Sequence, residues 1–150
     1  MNFIVEKNEK SAYLYGLKLL GRREYSTEEM KNKLAVKFGE NVAIEAVEHL
    51  VNDNSLSDMR YACMVVRHFV MNLSGPKKIM FFLKQKGVPE EIIGEAIDEE
   101  NVNFTELAVK ALHSHYDSVS KLEKTERNKA VAFLYRRGFV GDDIQQALEE

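Results

Sequence analysis

One short pattern occurs three times in this chain, at intervals of about fifty residues. It combines a leucine, a basic residue three positions later and a glycine one or two positions beyond that. The copies are Lys33-Leu34-x-x-Lys37-Phe38-Gly39, Phe82-Leu83-x-x-Lys86-Gly87-Val88 and Phe133-Leu134-x-x-Arg137-Gly138-Phe139. A repeat of this length is typical of arrays of small helical units, which are elongated and bind large partners on their surface. The sequence therefore favours a binding protein without a central pocket.

Each copy is followed by an acidic segment with apolar residues ten and thirteen positions after the leucine. These apolar pairs are Ile44 and Val47, Ile93 and Ala96, and Ile144 and Ala147. Other apolar residues recur at helical spacing, and no segment alternates with the period of two that a strand requires. We predict an all-α fold with nine helices in three tandem three-helix repeats, at residues 1–56, 57–102 and 103–150.

Several helix starts can be located from local signals. Ser26 and Glu29 have the spacing of a capping box, in which a hydroxyl and a carboxylate each accept a backbone N–H. Ser57 precedes another apolar helical stretch and is a suitable cap. Pro76 is suited to the first turn of a helix, where its missing N–H would have no partner in any case.

The composition argues against several classes of protein. Cys63 is the only cysteine, which excludes an internal disulfide and suits a reducing cytoplasm, and neither a signal peptide nor a membrane span is apparent. His113 and His115 are two residues apart and point to different faces of a helix, so they cannot chelate one metal. We find no nucleophile motif and no phosphate-binding glycine loop. We therefore predict a cytoplasmic protein that is not an enzyme and binds no cofactor or metal.

Charge is segregated in the middle repeat. Between Asp58 and Glu90 there are six cations and no carboxylate, and residues 90–100 hold six carboxylates and no cation. Lys77 and Lys78 fall in the first turn of a predicted helix, where the helix dipole disfavours cations by about 0.3–1 kcal/mol each. Folding alone would prefer acidic residues there, so a tolerated surface cost and a docking role are both open readings.

Two further features concern the basic surface. Phe81 lies near the centre of the helix face that carries Lys77, Lys78 and Lys84, where an aromatic ring could stack on a base or anchor a protein interface. We expect instead that Phe81 is buried against a neighbouring unit. Arg136 and Arg137 form a second basic cluster in the last repeat, although a cation at a helix end also complements the dipole.

The chain resembles the RecX family of bacterial regulators of the RecA recombinase over roughly residues 12 to 150. Three motifs carry the resemblance: Leu19-Leu20-x-Arg22-Arg23-x-Tyr25-Ser26-x-x-Glu29-Met30-x-x-Lys33-Leu34; Leu56-Ser57-Asp58-x-x-Tyr61-Ala62, continued by Gly75-x-Lys77-Lys78-Ile79-x-x-x-Leu83-x-x-Lys86-Gly87-Val88; and Lys129-Ala130-x-x-Phe133-Leu134-x-Arg136-Arg137-Gly138-Phe139-x-x-x-Asp143-Ile144. The chain departs from the family pattern at Asn54-Ser55, where a glycine is usual. Its acidic balance also argues against strong intrinsic binding to DNA.

The resemblance implies a curved, elongated array that lies in the groove of the RecA–single-stranded DNA filament. It implies a role in homologous recombination, DNA repair and the SOS response, in which the regulator suppresses ATP hydrolysis, strand exchange and filament extension. We expect a monomer whose contact residues include Lys77, Lys78, Lys84, Arg136 and Arg137, with Arg22 and Arg23 behind them. Any direct binding to single-stranded DNA should be weak, and no membrane is involved.

Two alternatives remain open from the residues alone. One is a helical nucleic-acid-binding protein that acts without RecA and binds bare DNA with a steep salt dependence. The other is a general helical scaffold for protein partners, which predicts no phenotype linked to DNA.

Overall fold

The computed structural model describes residues 3–116 and 122–149, which form nine α-helices and no strand. The helices are α1 (Phe3–Leu20), α2 (Thr27–Phe38), α3 (Glu40–Asn52), α4 (Asp58–Met71), α5 (Pro76–Gln85), α6 (Glu90–Glu99), α7 (Phe104–His113), α8 (Lys124–Arg136) and α9 (Gly141–Glu149). We call α1–α3 unit 1, α4–α6 unit 2 and α7–α9 unit 3. The predicted all-α arrangement of three three-helix units is confirmed. No helix in the described ranges is sufficiently long and apolar to cross a membrane.

Each unit has its own hydrophobic core. The repeated leucines Leu34, Leu83 and Leu134 are all fully buried, one in each core. Val70 and Phe104 pack against the cores of both unit 2 and unit 3, so these two cores meet at a shared apolar boundary. Burial of apolar surface therefore stabilises each unit and also holds units 2 and 3 together.

The predicted helix starts are confirmed. The Ser26 hydroxyl accepts the Glu29 N–H at 3.1 Å, and the Glu29 carboxylate accepts the Ser26 N–H at 3.4 Å, which completes the capping box. The Ser57 hydroxyl accepts the Arg60 N–H at 3.2 Å at the start of α4. Pro76 is the first residue of α5.

The apolar pair in α3 is not buried as its counterparts in units 2 and 3 are. Ile44 is 46% exposed, whereas Ala43, Ala46 and Leu50 are buried. The reason is the connection before the helix: α3 begins six residues after the repeated leucine, whereas α6 and α9 begin seven residues after theirs. A helix that begins one residue earlier turns the preceding set of positions toward the core.

The repeated pattern ends its helix in the same way in units 2 and 3 only. The N–H of Val88 donates to the Leu83 carbonyl at 3.0 Å, and the N–H of Phe139 donates to the Leu134 carbonyl at 3.2 Å. These are the long hydrogen bonds of Schellman motifs, with Gly87 and Gly138 at positive φ and the following apolar residue buried. In unit 1 Gly39 lies one position later, and its N–H donates to the Ala35 carbonyl at 2.9 Å instead.

The end of α8 docks on the start of α5. The Gly75 N–H donates to the Arg137 carbonyl at 2.8 Å, and the Lys77 N–H donates to the Gly138 carbonyl at 2.9 Å. A Cβ atom added to Gly75 would lie 2.4 Å from the backbone of Gly138 and Phe139, so only glycine permits this approach. We call this contact the 2/3 junction. At this junction two backbone N–H groups at the start of α5 find hydrogen-bond acceptors that their own helix cannot supply.

The end of α5 docks on the start of α2 in a related way, mainly through polar side chains. The Ser26 hydroxyl donates to the Lys86 carbonyl at 2.7 Å. Beside it, the Thr27 N–H and hydroxyl donate to the carboxylate of Asp58, the first residue of α4, at 2.8 and 3.0 Å, so α4 also holds the start of α2. This contact is the 1/2 junction. The three middle helices α8, α5 and α2 therefore follow one another end to end, each C-terminus against the next N-terminus.

Candidate docking surface

The end-to-end middle helices form a basic row along the array. In α5 the row has three lysines and no carboxylate, and in α8 it has three more cations and a C-terminal Arg136. The third helices have the opposite character, because α3, α6 and α9 contain carboxylates and neither lysine nor arginine. In each unit the middle helix is thus net basic and the third helix acidic, although α2 and α8 also contain carboxylates, and the predicted segregation is sharpest in the middle repeat.

The 2/3 junction brings four of the predicted contact residues together. Lys77 and Lys78 are exposed on the first turn of α5, where Lys78 approaches Gly138 of the docked helix end. Arg136 is exposed beside them, and Arg137 is half-buried, with its guanidinium donating to the Asn72 carbonyl at 2.8 Å. Arg137 is therefore partly engaged within the fold, whereas the other three cations face outward.

The remaining predicted contacts lie farther along the row. Lys84 is exposed at the end of α5 and forms an ion pair with Glu90 of the neighbouring helix. Arg22 is exposed just beyond α1. Arg23 makes two hydrogen bonds to the Glu29 carboxylate, at 3.2 and 3.1 Å, and its guanidinium lies 3.7 Å from the centroid of the Tyr25 ring. Arg23 is thus held in place by the 1/2 junction, while Arg22 is not.

Glu29 is the electrostatic centre of the 1/2 junction. Its carboxylate lies 3.1 Å from Arg23 and 3.6 Å from the Lys86 ammonium of unit 2. Burial alone would raise the pKa of this carboxyl group. The hydrogen bonds and charge of Arg23, followed by the charge of Lys86, outweigh burial and hold the pKa below its ordinary value. The ionised carboxylate therefore stabilises the junction.

Replacing Glu29 with glutamine should lower the free energy of unfolding by about 1–2 kcal/mol at pH 7, because a charged hydrogen-bond acceptor is lost. The folded-state pKa is depressed, so this contribution is present above the ordinary value of about 4.5 and is lost as the pH falls through the folded value. Urea unfolding of both proteins between pH 3 and pH 7 measures the difference. A difference of the same size at pH 3 would contradict this role for the carboxylate.

The basic row carries two exposed aromatic residues, of which Phe81 was noted from the sequence and Tyr135 was missed. Phe81 is 66% exposed, so the expected burial against a neighbouring unit is wrong. Tyr135 is 62% exposed, and its ring centroid lies 5.0 Å from the Lys77 ammonium. A signal for Tyr135 was available, because it directly follows Leu134 as the outward-facing Lys84 follows Leu83.

The described residues hold no group of three or more His, Cys, Asp or Glu side chains arranged to bind a metal ion. His113 and His115 are exposed, and the His115 ring stacks on Phe133 with centroids 4.3 Å apart. Cys63 is buried, as expected for a small apolar residue, and burial raises the pKa of its thiol. The docking surface described above is therefore the most distinctive feature of these parts of the chain.

Comparison with known proteins gives a consistent match along the chain. Residues 12–50, 57–97 and 103–148 match the first, second and third three-helix domains of RecX. The regulatory protein RecX of Vibrio campbellii is 38% identical over 88% of this chain and 86% of that protein. The regulatory protein RecX of Thermus thermophilus is 36% identical over 85% of this chain and 83% of that protein.

A solved structure shows the same fold. The crystal structure of RecX from Lactobacillus salivarius aligns with a TM-score of 0.82, covering 96% of each chain at 22% sequence identity. The two proteins thus share their helical architecture although only 22% of the aligned residues are identical.

Proposed function

The chain belongs to the RecX family of regulatory proteins, and we propose that it regulates the RecA recombinase by binding in the groove of the RecA–single-stranded DNA filament. On this proposal it acts without chemistry of its own and mainly inhibits. It suppresses ATP hydrolysis, strand exchange and filament extension. The setting is the cytoplasm, during homologous recombination, DNA repair and the SOS response.

The observation that carries this proposal is the basic row. Its helices of 13, 10 and 12 residues, at 1.5 Å per residue, give a contour of about 50 Å. This exceeds the diameter of a small domain, so one molecule could contact more than one protomer of a filament. Many modest contacts spread along such a row can bind a long partner without a deep pocket.

The distribution of charge supports one orientation in a groove. The basic row attracts acidic surface or nearby phosphate, and the acidic third helices repel both. Lys77, Lys78 and Arg136 are the best-placed contacts, because they are exposed together at the 2/3 junction. Lys84, Arg137, Arg22 and Arg23 complete the proposed set. Lys84 and Arg23 already have acidic partners, and we expect them to contribute less.

The proposal is tested by the rate of ATP hydrolysis by RecA on single-stranded DNA, with increasing amounts of this protein. We expect the steady-state rate to fall in a saturable way, because a regulator bound across protomers opposes the filament's active state. An equal weight of an unrelated acidic protein serves as the control. An unchanged rate at a tenfold molar excess over RecA would contradict an inhibitory role.

A further inference from the structure

Four exposed apolar side chains form a strip that crosses the 2/3 junction. Val131 and Tyr135 lie four residues apart on α8 and are 38% and 62% exposed, whereas Met80 and Phe81 on α5 are 38% and 66% exposed. Lys77 connects the two pairs. Its ammonium lies 5.0 Å from the Tyr135 ring centroid, and Met80 and Phe81 follow it by three and four residues, hence on the same helix face.

The stability of the fold does not account for this strip. Leu83 and Ile79 supply the buried face of α5, and Leu134 and Ala130 supply that of α8. Phe81 extends from the face opposite the buried one, and Met80, Val131 and Tyr135 extend from the flanks, where these large apolar side chains remain at least 38% exposed. Exposed aromatic rings with a basic border are typical of the centre of a protein interface, and in such interfaces a few aromatic residues contribute most of the affinity.

Two observations favour a protein partner over nucleic acid. Met80 and Val131 are aliphatic, and they provide contact area for side chains but no flat ring for a base to stack on. In addition, the charge of Lys84 is already matched by Glu90, and the acidic helix α6 begins there. A phosphate backbone that followed the row would meet these carboxylates, whereas a short protein segment would not.

We propose that the strip of Val131, Tyr135, Met80 and Phe81 anchors this protein to its partner. The occupant we infer is an acidic surface segment of the recombinase that carries apolar side chains. Its carboxylates would pair with Lys77 and Lys78, and its apolar groups would cover Phe81 and Tyr135. This inference rests on the proposed function and adds the anchoring residues and the chemistry of the segment that they bind.

The strip is formed by residues of two units, so it depends on how those units are docked. Tyr135 belongs to unit 3 and Phe81 to unit 2, and Lys77 links them across the junction only because the end of α8 docks at Gly75. Binding through the strip therefore requires a closed 2/3 junction. A partner seated across both helices would in turn stabilise that junction by mass action.

The test replaces Phe81 and Tyr135 with alanine, singly and together, and measures binding to RecA–single-stranded DNA filaments and to the same DNA without RecA. We expect each single change to weaken filament binding by about ten- to thirtyfold, as for interface hot spots. Leu14→Ala and Met71→Ala are the matched controls, because those side chains are 52% and 83% exposed and lie outside the strip and the basic row. We expect the controls to bind as the wild type does.

The outcomes separate the two proposals. Wild-type binding by both aromatic variants would overturn the anchoring strip and leave the proposed function intact. Equal weakening on filament and on bare DNA would identify nucleic acid as the occupant and overturn the inferred protein partner. Absence of filament binding by the wild type would reject the proposed function and the strip with it. Thermal unfolding of each variant verifies that the fold is retained.

Discussion

Replacing Gly75 with alanine is expected to lower the free energy of unfolding by about 2 kcal/mol or more, because the added methyl group overfills a tight contact. The new Cβ would lie 2.4 Å from the carbonyl carbon and oxygen of Gly138 and from the Phe139 nitrogen. These are backbone atoms and cannot rotate away, so the end of α8 must withdraw. The hydrogen bonds that Gly75 and Lys77 donate across the junction would weaken as a result. Urea unfolding measures the loss.

Gly94→Ala is the matched control for this change. Gly94 lies within α6, and an added Cβ meets no atom within 4 Å. There alanine should stabilise the protein by about 0.5–1 kcal/mol, since it removes the conformational freedom of a helical glycine. A decrease in the free energy of unfolding for Gly75→Ala, together with an increase for Gly94→Ala, would support the close approach of α8 to α5. A Gly75→Ala protein as stable as the wild type would show that α8 does not approach α5 in this way.

Reversing the charge of Lys77, Lys78 and Lys84 together is expected to weaken inhibition of RecA by roughly tenfold or more. Each exposed ion pair contributes about 0.2–1 kcal/mol, and reversal replaces attraction with repulsion at three sites. Folding should be preserved, because the side chains of all three lysines are exposed, and urea unfolding of the variant verifies this. The readout is the protein concentration that halves DNA-dependent ATP hydrolysis.

The control is a second triple variant with the same net charge. Lys10, Lys18 and Lys110 are exposed on α1 and α7, outside the basic row. Their replacement by glutamate changes the overall charge equally, and we expect a much smaller loss of inhibition. Equal losses in the two variants would mean that net charge alone governs binding. Full inhibition by a folded Lys77, Lys78, Lys84 variant would remove these residues from the contact surface.

The features that were predictable from sequence depend on neighbours within a few residues. The Ser26–Glu29 capping box joins residues three apart, and Pro76 starts its helix through its own ring geometry. The repeated leucines mark the cores because helical spacing places them on the inner face. In each case the residues that determine the feature lie within a few positions of one another, so the feature can be predicted from a short stretch of sequence.

The features that were not predictable depend on contacts between distant residues. Gly75 and Gly138 are 63 positions apart, and each alone reads as an ordinary helix boundary. Their contact explains why Lys77 is tolerated in the first turn of α5, because the Gly138 carbonyl places a partial negative charge beside it. The exposure of Phe81 has the same origin. Unit 3 docks on the start of α5 and leaves the middle of the outer face of that helix uncovered.

The register of α3 lies between these cases. Gly39 follows the repeated leucine by five positions, whereas Gly87 and Gly138 follow theirs by four. This shift was visible in the sequence. Which residues of α3 are buried depends on where α2 ends and α3 begins, and the structure was needed to locate those two positions. Ile44 is exposed because the connection in unit 1 is a single residue.

Co-sedimentation with RecA–single-stranded DNA filaments, beside the same DNA without RecA, tests the central claim most directly. A regulator that recognises the filament should pellet with it in a saturable way. It should remain in the supernatant with bare DNA at the same salt concentration. Binding to bare DNA as tight as binding to the filament would contradict the account and identify a nucleic-acid-binding protein. Failure to pellet with either would exclude the filament as the partner.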